Sequence, residues 1–243
     1  MVRLVIVDSP DVVCLQEVPP WALPLLDEWS GYVSVGDVAA RPTLGPLPST
    51  AQIGRVLTGV NHGLFRSAFT GQANAVLVLP RLRVLEHRVL VLNPRRFRRA
   101  QARTLGLGVI PRLAWGKERR VCQVLRLADE DTTFLLANLH ATSYPADQRL
   151  ADAELLRAAT YVDGLARPAE PVVLGGDLNV TFARSRTQHD LTTEWGFSQP
   201  GDGIDQVLAR GFVVGGRQRW PRERRARDGR LLSDHAPVEA RLT

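Results

Sequence analysis

Apolar residues along the chain gather in short runs or alternate with polar residues, a pattern typical of β-strands. Apolar runs predict strands over residues 11–18, 73–79, 82–92, 121–127, 133–139 and 171–175, and alternation predicts one over 32–38. Further strands are predicted over 203–208, 211–219 and 236–242. Short turns at Pro80-Arg81 and at Ala128–Asp131 join two strand pairs, 73–79 with 82–92 and 121–127 with 133–139.

Helical spacing is less frequent. Residues 146–165 place Leu150, Ala153, Leu156 and Ala159 on one face, which predicts an amphipathic helix. Pro19-Pro20 opens a shorter helix over 21–29, and another is predicted over 51–63. The three prolines in residues 41–50 predict a loop, and the five arginines around Phe97 in residues 95–103 are assigned to an exposed loop.

This order of elements favours an α+β fold. Strands that follow one another in pairs, with few helices and no regular βαβ alternation, indicate two packed, mostly antiparallel sheets flanked by helices. No internal repeat or long linker divides the 243 residues. We therefore expect a single domain over 1–243.

Composition and charge change this picture only slightly. No apolar run reaches the roughly eighteen residues that a membrane span needs, and the apolar start at Met1–Asp8 is too short for a signal peptide. We expect a cytoplasmic monomer in which Cys14 and Cys122 are free, buried thiols. The net charge of +6 suits nucleic acid as a partner, although an arginine-rich chain with one lysine is also typical of a GC-rich genome.

Candidate chemistry lies where apolar strands end. Four segments carry acidic, amide or imidazole groups there: Gln16-Glu17, Asn138-Leu139-His140, Asp177-Leu178-Asn179 and Asp234-His235. The two-residue period of a strand puts both polar side chains of each of the two triplets on one face. A single segment of this kind is more often a turn, a solvated strand end or a buried histidine than part of an active site, whereas the four together indicate an active site.

The same residues suit a hard divalent cation. Mg²⁺ binds through carboxylate oxygens and completes its coordination with water and substrate phosphate, a role that Glu17 and Asp234 fit. Neither a cysteine pair at zinc spacing nor a His-Glu-x-x-His motif occurs in the sequence. Phosphoester hydrolysis needs a positioned water, charge stabilisation at the phosphoryl oxygens and a proton for the leaving oxygen, and the carboxylates, amides and histidines cover these needs.

The sequence resembles the endonuclease/exonuclease/phosphatase superfamily, which has the deoxyribonuclease I-like fold. The resemblance runs from about Pro10 to Leu242, and its segments occur in the family's order. They are Asp11–Glu17, Gly71-Gln72-Ala73-Asn74, Ala137-Asn138-Leu139-His140, Gly175-Gly176-Asp177-Leu178-Asn179, Gly203-Ile204-Asp205 and Ser233-Asp234-His235-Ala236-Pro237-Val238. It implies an α/β/β/α four-layer sandwich and a phosphoester hydrolase that depends on Mg²⁺ or Mn²⁺.

The resemblance also implies roles for single residues. Glu17 and Asp234 would bind the metal ion, and Asp177 would orient or deprotonate the attacking water. Asn179, Asn74 and Asn138 would hold phosphoryl oxygens or order the site. His235 would contact the scissile phosphate, with Asp205 fixing its tautomer. His140 matches the position of a general acid in deoxyribonuclease-like members, and which histidine donates the proton stays open.

One feature of the family is missing from the resemblance. Members begin with a strand carrying Trp-Asn or a similar pair, followed by a helix, and here Met1 falls within the end of that helix. We expect the chain to be truncated at its N-terminus, the alternative being loss of a core strand. Because either case would expose sheet edge, lower stability and activity are expected.

The substrate is left open between several classes. A phosphodiester, with nucleic acid as its source, is the first; residues 95–103 and 217–230 carry arginines that could bind its phosphates or be merely solvated. A phosphatase or phospholipase-type enzyme acting on inositol phosphates or sphingomyelin is the second, although no membrane-binding loop is recognised unless 41–50 holds one. The third is a catalytically impaired binding module with the same fold.

Overall fold

A computed structural model of the chain describes residues 1–40, 43–44, 47–48, 71–227 and 229–243. The contacts divide it into two compact units, an N-terminal unit over Val2–Leu82 and a C-terminal unit over Arg83–Thr243. A single domain over 1–243 stays a prediction.

The N-terminal unit contains a three-stranded antiparallel sheet. Its strands are β1 (Val12–Val18), β2 (Val33–Ala40) and β5 (Gln72–Val78), with β5 in the centre, and β3 (Thr43–Leu44) pairs separately with β4 (Leu47–Pro48). Its helices are α1 (Val2–Val5), a 3-10 helix (Pro20–Leu25) and α2 (Leu26–Ser30). One face of β5, with Ala73, Ala75 and Leu77, packs against Leu26 and Tyr32. Helical structure at Val2–Val5 agrees with the helix end that the resemblance implies there.

The C-terminal unit is built on a five-stranded sheet. Its strands are β6 (Arg83–Val91), β7 (Val121–Ala128), β8 (Thr133–His140), β9 (Val172–Asp177) and β10 (Asp205–Arg210), in the order β10-β9-β8-β7-β6. Only the pair of β8 and β9 is parallel within this sheet. Two smaller ladders pair β11 (Val214–Arg219) with β14 (Val238–Leu242), and β12 (Ala226–Arg227) with β13 (Arg230–Leu231).

The C-terminal unit also contains helices. They are α3 (Arg95–Thr104), α4 (Val109–Gly116), α5 (Arg149–Asp163) and α6 (Arg186–Thr193), with short 3-10 helices at Phe182–Arg184 and Glu223–Arg225. The crossover helix α5 connects β8 to the parallel β9, and its Leu155 and Ala158 pack against Ala137 and Leu139 of β8. Strand alternation therefore turns the polar residues of β8, Asn138 and His140, to the opposite face.

Most predicted elements are confirmed, and the α+β class with mostly antiparallel sheets and flanking helices is confirmed as well. The hairpin of 73–79 with 82–92 is wrong, because β1 and β2 already occupy both edges of β5 and β6 pairs with β7 instead. The predicted helix over 51–63 lies outside the described residues, and within 41–50 the described parts are the paired strands β3 and β4.

The predicted loop over 95–103 is also wrong, since these residues form α3. Arginine is a good helix former, and the side of α3 that faces inward is apolar. Phe97 stacks edge-on against Trp115 with ring centroids 5.9 Å apart, and Ala102 is buried in the same cluster with Leu150. Cys14 and Cys122 are free thiols, the first half-buried and the second buried. Among the described residues, no helix has the length and apolarity required to cross a bilayer.

A buried carboxylate ties three elements of the C-terminal unit together. Glu154 of α5 is fully buried and accepts hydrogen bonds from the indole nitrogen of Trp115 in α4 (2.5 Å), the backbone nitrogen of Thr142 (2.7 Å) and the hydroxyl of Thr142 (2.7 Å). Burial raises the pKa of this carboxyl, and the donated hydrogen bonds oppose that rise. Thr142 follows His140 by two residues, so this network also holds the end of β8.

Glu154→Gln should destabilise the protein. A glutamine offers one acceptor oxygen, and its NH₂ group would face the indole or backbone N–H that now donates to a carboxylate oxygen. We expect the free energy of unfolding, measured by urea denaturation, to fall by about 1–3 kcal/mol. Glu130→Gln, in an exposed turn, is the control and should change it by less than about 0.5 kcal/mol. Equal stability of the two variants would contradict the anchoring role of Glu154.

Candidate active site

Three adjacent strands place three predicted site residues in one row. Asp177 of β9 is in register with Asp205 of antiparallel β10 on one side and with His140 of parallel β8 on the other. Residues in register point to the same face of a sheet, and the Nε2 atom of His140 lies 3.5 Å from the Oδ2 atom of Asp177. His140 and Asp177 are buried, and Asp205 is partly exposed.

A loop before β14 adds His235 to this row. Its Nδ1 atom lies 3.0 Å from Oδ1 of Asp205 and 4.0 Å from Oδ2 of Asp177. The guanidinium of Arg225 donates to the backbone carbonyls of Ser233 (2.9 Å) and Asp234 (3.0 Å), and so holds the loop in place. The side chain of His235 is 45% exposed, which leaves it accessible to a ligand.

The backbone around Asp177 has little freedom. Gly176 has a φ of +124° and is in register with Leu139, and a Cβ atom at this position would overlap the Leu139 carbonyl oxygen. Beyond the strand, Asn179 adopts a left-handed φ of +50°, a conformation for which asparagine is enriched. Its backbone nitrogen donates to Oδ1 of Asp177 (3.0 Å), and its side-chain amide donates to the carbonyl of Ala141 (3.0 Å). Asn179 therefore joins the ends of β8 and β9.

The surroundings of Asp177 and His235 raise the pKa of both side chains. Burial, followed by the charge of Asp205, raises the pKa of Asp177 to about 6, against the lowering effect of His235. The hydrogen bond to Asp205 raises the pKa of His235 to about 9, with added attraction from Asp177 and Asp234 and an opposing effect of burial. At neutral pH, Asp177 is therefore largely an anion and His235 a cation.

Arg120 is a site residue that the sequence analysis did not identify. Its Nη1 atom lies 2.9 Å from each ring nitrogen of His140, and its Nη2 atom donates to Glu118 (2.6 Å). Burial, then the charges of Arg120 and His235, lower the pKa of His140 well below its usual range, so this imidazole is neutral. The sequence does show a basic residue directly before the predicted strand 121–127. Pairing of this strand with the strand 133–139 brings Arg120 beside His140.

The other predicted residues occupy different places. Asn138, fully buried on the same face of β8 as His140, donates to Oε1 of Gln123 (3.0 Å), and Asp234 is exposed next to His235. Glu17 and Asn74 belong to the N-terminal unit. Glu17 is exposed, with a left-handed φ of +56° where the pairing of β1 with β5 shifts register, and Asn74 is buried in β5. Bulges of this kind commonly re-aim a side chain near a functional site.

Several arginines in residues 217–230 have structural partners. Arg217 donates to the carbonyl of Val207 (2.7 Å) and Arg219 to that of Asp202 (2.7 Å). Arg224 lies 3.7 Å above the ring of Trp220 and forms an ion pair with Glu239. With Arg225 holding the His235 loop, four arginines of this segment act within the protein, which weakens their assignment as phosphate contacts.

The donor set of the C-terminal unit is suited to a hard cation. Asp177, Asp205 and His235 each place one potential ligand atom within 4.8 Å of the others. The Nδ1 atom of His235 is already hydrogen-bonded to Asp205, so this nitrogen is less available to a metal ion than the carboxylates are. The carboxylates of Asp177, Asp205 and neighbouring Asp234 supply oxygen donors, which fit Mg²⁺ or Mn²⁺ and suit zinc less well.

Comparison with known proteins agrees with this geometry. The sequence model described as the Endonuclease/Exonuclease/phosphatase family matches residues 2–235. A search of curated proteins finds no match.

Solved structures of similar fold come from bacteria and from human. An endonuclease/exonuclease/phosphatase from Bacteroides vulgatus has a TM-score of 0.66 at 16% identity, covering 100% of this chain and 88% of its own. Mannosyl-6-phosphatase of Bacteroides thetaiotaomicron has a TM-score of 0.62 at 16% identity, with the same coverage of 100% and 88%. The human Nocturnin catalytic domain with bound sulfate has a TM-score of 0.58 at 15% identity, covering 88% of this chain and 75% of its own.

At these identities the structural matches establish the fold alone, which is the one that the resemblance implies. The sequence model matches nearly the whole chain, including every segment of the C-terminal unit that forms the row and its loop. On this ground the chain belongs to the endonuclease/exonuclease/phosphatase family.

Proposed function

We propose that the protein is a divalent-metal-dependent phosphoester hydrolase whose preferred substrates are phosphodiesters. The observation that carries the proposal is the row of Asp205, Asp177 and His140 on three adjacent strands. His235 extends this row through its hydrogen bond with Asp205. Membership of the family supports hydrolysis of phosphoesters. The distribution of charge within the row supports separate roles for its members.

Asp177 is suited to activate the attacking water. A general base works best when its pKa lies near the operating pH, and burial beside Asp205 brings the pKa of Asp177 to about 6. Its Oδ1 atom accepts the backbone N–H of Asn179, which fixes the carboxylate plane and directs Oδ2 toward the two histidines. Asp177 thus takes a proton from a water molecule as that water attacks phosphorus.

His235 is suited to contact the scissile phosphate and to deliver the proton to the leaving oxygen. Its Nδ1 atom is bonded to Asp205, and the proton on Nε2 faces away from that bond. Because the pKa of His235 is raised to about 9, this imidazole carries its proton at neutral pH. His140 is held neutral beside Arg120, so we assign it and Arg120 to stabilising charge on the phosphoryl oxygens.

Mg²⁺ or Mn²⁺ is the proposed metal. When bound, such an ion polarises phosphoryl oxygens and neutralises charge that develops on them. Glu17 and Asp234 remain its predicted ligands; both are exposed carboxylates, and each lies at a strained or fixed segment of its own unit. Asn74 and Asn138 remain predicted to order the site around the substrate.

The substrate class is proposed with one alternative. A phosphodiester, nucleic acid included, is favoured by the net charge of +6. Hydrolysis of a phosphomonoester is the alternative, because a similar fold belongs to a mannosyl-6-phosphatase. A catalytically impaired binding module is disfavoured, since Asp177, Asp205 and His235 keep their chemistry and their hydrogen bonds.

Asp177→Asn should abolish most turnover without unfolding the protein. Loss of a general base costs about 10²- to 10⁴-fold in rate, measured with bis-p-nitrophenyl phosphate. The raised pKa means that ionised Asp177 destabilises the fold above about pH 6, so the melting temperature should stay equal or rise. Asp190→Asn, which removes a carboxylate paired with Arg186 on α6, is the matched control. A variant at position 177 with the wild-type rate would refute the base assignment.

Chelation should stop the reaction reversibly. We expect turnover to cease after dialysis against EDTA and to return with Mg²⁺ or Mn²⁺, because the carboxylates supply hard oxygen ligands. Running p-nitrophenyl phosphate in parallel separates a phosphomonoesterase from a phosphodiesterase. Turnover that survives complete chelation would overturn metal dependence, and no turnover on either ester or on a panel of nucleic acids would favour the binding module.

Asp205→Asn should lower the pKa of His235 from about 9 toward its usual 6.5, since the hydrogen bond to Asp205 is the largest cause of the rise. NMR titration of the His235 ring in metal-free protein measures this shift. A raised histidine pKa adds stability below about pH 6.5 that is lost as the pH rises through about 9. The variant should therefore be less stable than wild type at pH 6, with a difference that disappears above pH 9. Asp202→Asn, an exposed neighbour, should leave the titration unchanged.

A further inference from the structure

Helix α4 exposes large aliphatic side chains. Val109, Ile110 and Leu113 are 71%, 72% and 70% exposed, and we call these three residues the α4 apolar face. A soluble surface tolerates single exposed apolar residues, whereas three on one eight-residue helix form a contiguous apolar feature.

The orientation of α4 is fixed by its opposite side. Trp115 is buried to 1% exposure and donates to the buried Glu154 of α5. With 3.6 residues per turn, Val109 and Leu113 lie one turn apart on the side away from Trp115, and Ile110 and the C-cap residue Lys117 lie on the same outer side. Arg112 is exposed on the flank of the helix between this side and Trp115. The apolar face is thus held outward by a buried anchor, with Lys117 beside it and Arg112 on its flank.

The surrounding surface is strongly basic. Residues 95–119 contain seven arginines and one lysine against a single acidic residue, Glu118, which pairs with Arg120. Four arginines of α3 are exposed, at positions 95, 96, 99 and 103. Contacts between the two helices, the Phe97–Trp115 stack and the approach of the Arg98 guanidinium to Gly116, keep these charges next to α4.

We propose that α3 and α4 dock the protein on an anionic phospholipid bilayer. The α4 apolar face enters the boundary between headgroups and acyl chains, and the arginines of α3 with Arg112 and Lys117 bind lipid phosphates. Aliphatic side chains flanked by cations are the combination that binds such a surface. Nucleic acid would satisfy the arginines but leave Val109, Ile110 and Leu113 without an apolar partner, and none of the three offers a ring on which a base stacks.

This surface uses none of the residues proposed for hydrolysis. Docking and activity therefore fail or succeed independently, and binding can be measured without turnover. Anionic vesicles of phosphatidylcholine with about 30% phosphatidylglycerol provide the probe, and pure phosphatidylcholine vesicles test the role of charge.

Co-sedimentation of the whole chain with these vesicles tests the proposal. We expect binding to the anionic vesicles that weakens at high salt, and little binding to the zwitterionic ones. Replacing Val109, Ile110 and Leu113 together by serine should weaken binding by about tenfold or more. Val213→Ser, equally exposed at 71%, is the control and should bind as wild type does.

Two double variants of equal net charge distinguish the effect of the α3 arginines from the effect of the protein's overall charge. Arg96→Gln with Arg99→Gln should weaken vesicle binding more than Arg83→Gln with Arg241→Gln, although both remove two exposed arginines. Circular dichroism checks that each variant is folded. If the triple variant is unstable, the single variant Leu113→Ser replaces it and should show a smaller decrease in vesicle binding.

Three results would overturn the proposal. The first is the absence of binding to anionic vesicles by the wild-type chain. The second is a triple serine variant that is folded and binds as tightly as wild type. The third is a wild-type dimer that the triple variant converts to a monomer without any change in vesicle binding, which would identify a second copy of the chain as the occupant.

Discussion

The parallel pairing of β8 with β9 is the constraint on which the row of candidate site residues depends. It places His140 beside Asp177, and the antiparallel pairing of β9 with β10 places Asp205 on the other side. A parallel pair requires a crossover connection, and α5 supplies it while burying the opposite face of the sheet. The same helix carries Glu154, whose hydrogen bonds fix Thr142 beyond β8 and Trp115 in α4. Packing of α5 on one face of the sheet thus positions His140, Asp177 and Asp205 on the other face.

Electrostatics then distinguishes residues of the same type. Asp177 and Asp205 are neighbours, but Asp177 is the more buried, and its pKa rises to about 6, while Asp205 is hydrogen-bonded to the imidazole of His235. His235 and His140 differ in the same manner. A carboxylate partner keeps His235 protonated, and burial beside the guanidinium of Arg120 keeps His140 neutral. Two aspartates and two histidines therefore provide four different functional groups.

The arginines show how fold position decides the use of a charge. In residues 217–230 four of them bind backbone carbonyls, an aromatic ring or a glutamate, and one of the four, Arg225, holds the loop that carries His235. In α3, by contrast, four arginines are exposed on a helix that packs against α4. The two segments have similar composition, and only their surroundings separate an internal support from a surface able to bind anions.

Much of the candidate site could be predicted from the sequence, because the strand ends that carry Asp177, Asn179 and His140 are local features, two of them with a two-residue period. Strand positions in the C-terminal unit were readable for the same reason. Pairing was not: the turn at Pro80-Arg81 suggested a hairpin, whereas β5 has β1 and β2 as its neighbours. The place of Arg120 beside His140 depends on the pairing of β7 with β8. The helix at 95–104 depends on the packing of its apolar side against Trp115. Residue type and local periodicity indicate which side chains have suitable chemistry and which segments form strands. The neighbours of each residue, and with them its burial, protonation and exposure, follow only from the fold, because they depend on contacts between residues distant in the chain.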